Sequence, residues 1–172
     1  MYIRLSLDVL VLNASLPAVR GKYTCCHAEG VVRGGRLQAL ILRVLVVDDS
    51  QVVRRGICHI LKSQADIEIV SEASDGAEAV RKVVEHRPNI VLLDITMPVM
   101  NGFEAARRIK HELPSTLILM VSQFDSAPFQ REAITAGASG YVVKSNAASE
   151  LIPALRKLHS QHAAKATHDP TI

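Results

Sequence analysis

Short apolar runs recur from Arg43 to about His159, each separated from the next by a segment of helical spacing. The runs VLVV (44–47), IEIV (67–70), IVLL (90–93), LILMV (117–121) and YVV (141–143) are rich in Val and Ile. Their shortness and β-branching predict strands buried on both faces. After the first run, Val52, Val53, Gly56, Ile57, Ile60 and Leu61 place one stripe on a helix. A second helix opens with Asp75 and Glu78 in capping-box spacing, continues through Val80, Val83 and Val84, and stops before Pro88. A third follows Gly102 with Phe103, Ala106, Ile109 and Leu113; a fourth runs from near Pro128 to a C-terminal cap at Gly137. The fifth carries Leu151, Leu155 and Leu158, with Pro153 predicting an irregular first turn or a late start.

Strands alternating with helices in this way predict an α/β fold, a parallel sheet wrapped on both faces. Right-handed crossovers bring every strand's C-terminal end to one edge, and ligands in such sheets bind outside those ends. Residues 1–41 keep neither period, include the Gly-rich GKYTCCHAEGVVRGGR, and are expected to be an irregular extension without a fold of its own. That leaves 42–160 as the folded domain and 161–172 as a C-terminal tail, frayed by its Thr, His, Asp and Pro. One hypothesis is that the true start lies further in; the alternative is a small partner-binding arm.

Charge follows the same division. Of the net +3, residues 1–42 carry all, with five basic and two acidic side chains, while 43–172 hold fifteen of each. The regular part therefore lacks the basic excess that attracts duplex DNA or an anionic membrane. An aromatic content of 3% argues against stacking on single-stranded nucleic acid. Three cysteines, Cys25, Cys26 and Cys58, are an odd set with an adjacent pair, which fits a reducing cytoplasm rather than a disulfide framework. His27 after the pair lacks a second ligand cluster at zinc-site spacing. No apolar run approaches the roughly 18 residues of a membrane span. The opening stretch is a poor signal peptide, since Asp8 interrupts it and no small-residue cleavage site follows.

The rim of the sheet collects the candidate chemistry. Asp48 and Asp49 follow the first strand, Asp94 ends the third, Ser122 follows the fourth and Lys144 ends the fifth. Three neighbouring carboxylates repel, and a divalent cation is the low-cost way to keep them ionised. An all-oxygen set without His or Cys favours Mg²⁺. A metal beside a carboxylate and a lysine suits phosphoryl transfer, with Asp94 as nucleophile and Lys144 and Ser122 holding phosphoryl oxygens. Each residue has a plainer reading: helix caps for Asp48 and Asp49, a solvated loop lysine, a turn-capping serine. Their convergence on one edge favours the site. Arg54, Arg55, Arg107 and Arg108 read as solvated helix faces, and His59 and His86 as surface.

VLVVDDS, LLDITMPVMNG, LMVSQ and GYVVKS, in this order and spacing, resemble the CheY-like receiver domain of two-component response regulators over about residues 42–160. GASGYVVKSNAASELIPAL further resembles receivers joined to a LuxR-type helix-turn-helix. The resemblance implies a flavodoxin-like (βα)5 fold of strand order 2-1-3-4-5, an order for which CheY is itself a standard example. It implies Asp94 as phosphoacceptor, Asp49 as direct Mg²⁺ ligand, Asp48 acting mainly through metal-bound water, and the Thr96 backbone carbonyl as a further ligand. Ser122 and Lys144 match the switch hydroxyl and the family's lysine. Tyr141 matches the switch aromatic, so phosphorylation is expected to repack the face of the fourth helix, fifth strand and fifth helix. Implied partners are a histidine kinase or histidine phosphotransfer protein, a downstream protein target, and a second copy docked through the first and fifth helices.

Departures from the family pattern are informative. Gln123 replaces a small residue beside the donor's path, and Phe124 and Thr96 occupy positions that tune phosphoryl loss. Ser145 stands where Pro often follows the lysine, and a cis bond there would cost about 2.5–4 kcal/mol. A LuxR-type output needs roughly 60 further residues with a recognition helix. This chain is thus expected to be a stand-alone receiver or a regulator short of its output, and not to bind DNA by itself. An aspartate-nucleophile phosphatase is the rival, but it needs a second acid where Thr96 stands. A flavin binder would need a phosphate-cradling loop and stacking aromatics that are missing; a receiver without phosphorylation would not keep the full acidic set.

Overall fold

The computed structural model describes residues 41–166. Five strands alternate with five helices: β1 (Leu42–Val47), α1 (Gln51–Lys62), β2 (Ile67–Ala73), α2 (Gly76–His86), β3 (Ile90–Leu93), α3 (Gly102–Glu112), β4 (Leu117–Ser122), α4 (Ala127–Thr135), β5 (Gly140–Val143) and α5 (Ala147–Ala166). All pairings are parallel, in the order β2-β1-β3-β4-β5. This is the flavodoxin-like arrangement expected from the sequence, and all five apolar runs lie within its strands.

The period-2 geometry of the strands divides the core in two. Leu45, Val47, Val91, Leu93, Ile118 and Met120 face α2, α3 and α4. Val44, Val46, Ile90, Leu92, Leu119 and Val121 face α1 and α5. Both sets are buried, which is why these strands read as continuous apolar runs rather than alternating ones. Cys58 lies in the second core, where burial pushes its thiol up to about 11, so it packs as an apolar residue and is not a nucleophile.

The helix signals hold with adjustments. Asp75 caps α2 by accepting from the Glu78 amide at 2.8 Å, and Glu78 reaches back to the Ser74 amide at 2.8 Å. Gly137 ends the α4 region with φ of 95°, a left-handed conformation that favours glycine. The buried stripe on α1 is narrower than its apolar spacing suggests: Val52 is 80% exposed and Gly56 is exposed, leaving Ile57, Cys58 and Leu61 inside. Val84 is likewise exposed on α2. Pro153 does not delay α5, which starts at Ala147 after a 3₁₀ turn over Lys144–Asn146 and runs through the proline. α5 continues to Ala166, past His159 and into the stretch assigned to the tail. Among the described residues, no helix is long and apolar enough to cross a membrane. The expectations for residues 1–40, including the Cys25–Cys26–His27 cluster, lie outside the described residues.

Candidate functional site

The C-terminal ends of β1 and β3 set two acids side by side. The Asp94 amide donates to the Val47 carbonyl at 3.0 Å, carrying the β1–β3 ladder one residue past the end of β3. Asp48, next after Val47, donates its amide to Ala73 on β2. The ladder therefore places Asp48 and Asp94 on neighbouring chains at one level. Both are buried, Asp48 with 1% of its surface exposed and Asp94 with 3%. Asp49, one residue on, is exposed. Carboxylate oxygens of Asp48, Asp49 and Asp94 all lie within 4.8 Å of one another.

Gly102 fixes the height of Asp94. The loop after β3 doubles back through a tight turn in which the Met100 amide donates to the Pro98 carbonyl at 2.7 Å, with Val99 at φ 66°. The Gly102 amide then donates to the Ile95 carbonyl at 2.9 Å, and α3 starts so close that a Cβ on Gly102 would stand 2.0 Å from the Asp94 carbonyl oxygen. Glycine is required here by close approach of backbones. Asn101 caps α3 by accepting from the Glu104 amide at 3.0 Å.

Lys144 opens the 3₁₀ turn after β5. Strands lie about 4.8 Å apart, so β5 is about 10 Å from β3, a gap suited to a long side chain. Its Nζ lies 2.7 Å from Asp48 Oδ2 and 3.0 Å from Asp94 Oδ2. The peptide bond that follows is trans. Burial pushes the Asp94 carboxyl above the usual carboxylate range; the Lys144 ammonium pulls it back without cancelling the rise, and the Asp48 charge adds to it. For Lys144, burial lowers the ammonium's pKa, but the two carboxylates outweigh burial and raise it.

The donor set fits a hard divalent cation. Asp48 Oδ1 accepts from the Ser50 amide at 2.9 Å, and Oδ2 is buried against the Lys144 ammonium at 2.7 Å. Three clustered carboxylates share one ammonium, and this all-oxygen set with its remaining negative charge is suited to Mg²⁺. Asp48, Asp49 and Asp94 are the residues able to hold it.

Ser122 ends β4, the strand between β3 and β5, and is fully buried. Its Oγ accepts from the Phe124 amide at 3.2 Å. Tyr141, half-buried on β5, donates its hydroxyl to the Phe124 carbonyl at 2.6 Å. One residue is thus held at its amide by Ser122 and at its carbonyl by Tyr141. Phe124 also stacks on Phe129 with centroids 4.4 Å apart, and Phe129 on Phe103 at 6.3 Å. Thr96 is exposed two residues past Asp94, and Gln123 is exposed one residue past Ser122.

Arg54 departs from its expected solvated position. Its Nη1 donates to the carbonyls of Asp48 at 2.6 Å and Asp49 at 3.3 Å, and its Nε stands 3.5 Å from Glu72 Oε2. Backbone carbonyls leave no mark in a sequence; the available signal was an arginine one turn into the helix that follows an acidic pair.

Known proteins resemble this chain in sequence and in fold. The model of the response regulator receiver domain family matches residues 44–156. The chain is 36% identical over 120 residues to the transcriptional regulatory protein LnrK of Bacillus subtilis, covering 70% of this chain and 54% of that protein. It is 40% identical over 116 residues to the transcriptional regulatory protein LiaR of the same organism, covering 67% and 55%. The chain therefore spans about half the length of the curated relatives it matches. Among solved structures, the response regulator domain of CheB from Thermotoga maritima superposes with a TM-score of 0.65 at 36% identity, over 69% of this chain and 96% of that one. With the match extending from β1 into α5 and taking in every acid of the rim, the chain belongs to the response regulator receiver domain family of two-component systems.

Proposed function

We propose that the chain is a phosphorylation-driven switch with Asp94 as phosphoacceptor. The donor is a histidine kinase or a histidine phosphotransfer protein. An Asp94 carboxylate oxygen attacks phosphorus, the bond from phosphorus to the donor imidazole nitrogen breaks with its electron pair left on the ring, and an acyl phosphate remains on Asp94. Asp48, Asp49, Asp94 and the Thr96 backbone carbonyl would hold Mg²⁺, which would supply neutralisation of charge on the transferring group. The Lys144 ammonium pairs with a phosphoryl oxygen. The Ser122 hydroxyl accepts from the Phe124 amide and keeps its own proton to donate to another phosphoryl oxygen. Movement of Ser122 toward that oxygen pulls on the Phe124 backbone, whose carbonyl holds the Tyr141 hydroxyl, and so repacks the α4–β5–α5 face that a downstream target reads. The chain is a signalling module rather than a turnover enzyme, with slow self-phosphorylation from small donors and slow self-dephosphorylation.

The observation that carries this reading is one ammonium seated against two buried carboxylates, with the third acid of the cluster beside them. The test is incubation with acetyl phosphate and Mg²⁺ followed by intact mass. One added phosphoryl group is expected, absent in Asp94→Asn and in the presence of chelator. Sustained phosphate release from many substrates would instead make the protein a phosphatase. A second reading, favoured by the relatives being transcriptional regulatory proteins about twice the matched length, is a receiver serving a LuxR-type DNA-binding output.

A further inference from the structure

The β1–α1 loop carries two of the three clustered carboxylates, yet its own side chains do little to aim them. Asp48 Oδ1 takes the Ser50 amide, while among the described residues no hydrogen bond holds the Asp49 carboxylate. The loop is gripped from outside. One nitrogen of Arg54 bonds two successive carbonyls, those of Asp48 and Asp49, which fixes both peptide planes and hence the direction in which each acid leaves the backbone. On its other edge the guanidinium faces Glu72 of β2, and the side chain is 15% exposed. We infer that Arg54 is a positioning residue for the cation site, tying the acidic loop to β2 and holding Asp48 and Asp49 in register with Asp94. This inference rests on the reading of the acid cluster as a Mg²⁺ site.

Charge and geometry make opposite demands here, so the sign of one measurement decides between them. A guanidinium beside the acids repels an incoming cation, and neutralising it would tighten binding if charge alone mattered. If Arg54 positions the loop, its loss loosens binding, as removal of a residue supporting metal ligands commonly does by 10- to 100-fold.

The experiment titrates Mn²⁺ into the full chain, following free Mn²⁺ by electron paramagnetic resonance and displacing it with Mg²⁺. Arg54→Gln is expected to weaken both ions about 10-fold or more. Arg54→Lys is expected to recover part of the loss, because an ammonium restores the charge without the planar fork that serves the loop and Glu72 together. In the metal-free Arg54→Gln protein, hydrogen exchange at the Ser50 amide, which the Asp48 carboxylate holds, is expected to quicken while β3 and β4 keep their protection. Binding as tight as wild type or tighter in Arg54→Gln overturns the inference. So does weakening accompanied by loss of protection throughout the sheet, which marks a structural role only. A wild-type chain that binds neither ion overturns the metal-site reading, and this inference with it.

Discussion

Replacing Gly102 by alanine puts the contact between α3 and the chain at Asp94 under direct strain. The added Cβ would lie 2.0 Å from the Asp94 carbonyl oxygen, 2.8 Å from the Ile95 Cα and 2.9 Å from the Asp94 carbonyl carbon. All three atoms are backbone, so no rotamer change relieves the clash. Restoring a tolerable separation from the oxygen requires a shift of at least about 1 Å, and overpacking of that kind costs about 3 kcal/mol at its usual upper range. The shift also weakens the hydrogen bond from the Gly102 amide to Ile95, worth about 1 kcal/mol. Alanine returns about 1 kcal/mol by stiffening the unfolded chain. The net expectation is a loss of about 3 kcal/mol. At a urea slope of about 2 kcal/mol per molar, the midpoint falls by about 1.5 M. Far-UV circular dichroism is the appropriate probe, since the chain has no tryptophan. Gly56→Ala is the matched control. That glycine is exposed on α1, and a Cβ there would meet nothing within 4 Å, so alanine is expected to add about 0.5–1 kcal/mol. Phosphorylation of Gly102→Ala from acetyl phosphate is expected to slow about 100-fold, the cost of misplacing a reacting group by about 1 Å. A Gly102→Ala midpoint within about 0.25 M of wild type would refute the argument from backbone contact.

Two further expectations concern pH. The Asp94 carboxyl is raised above its ordinary value of 3.8, so its contribution to stability is present below that value and is lost as pH rises through the folded-state pKa. Asp94→Asn is therefore expected to be more stable than wild type at neutral pH without Mg²⁺, with the difference vanishing below about pH 3; urea melts across pH check this, and equal stability at neutral pH would contradict it. Glu78 behaves in the opposite sense: Lys82, then the Ser74 amide, hold it down at about 2 against an ordinary 4.5, so its contribution is present above 4.5 and lost as pH falls toward 2. With 26% of the side chain exposed, solvent screening reduces the effect, and Glu78→Gln is expected to cost about 1 kcal/mol at neutral pH and nothing near pH 2 by the same melts.

The strands were legible because burial on both faces leaves an uninterrupted apolar run, as in IVLL ending at Asp94. Once the sheet was parallel, the rule that ligands gather at strand C-termini located the rim and grouped Asp48, Asp49, Asp94 and Lys144 from residue order alone. Helix faces were less legible. An apolar residue at the right spacing counts toward a stripe whether or not the sheet beneath reaches it, and at Val52 and Val84 it does not. The grip of Arg54 on two carbonyls and the link from Tyr141 to the Phe124 carbonyl were hidden for another reason. Backbone acceptors are the same at every position, so residue identity cannot point to them.

Phe103, Phe124 and Phe129 are all the phenylalanines the chain contains, and they stack as one column between α3, the loop after β4, and α4. Uniform incorporation of fluorophenylalanine would therefore yield three fluorine resonances, all from one stacked column that includes Phe124, two residues past Ser122. The protein thus carries a built-in spectroscopic gauge of any rearrangement in this column, readable without engineering a single label site.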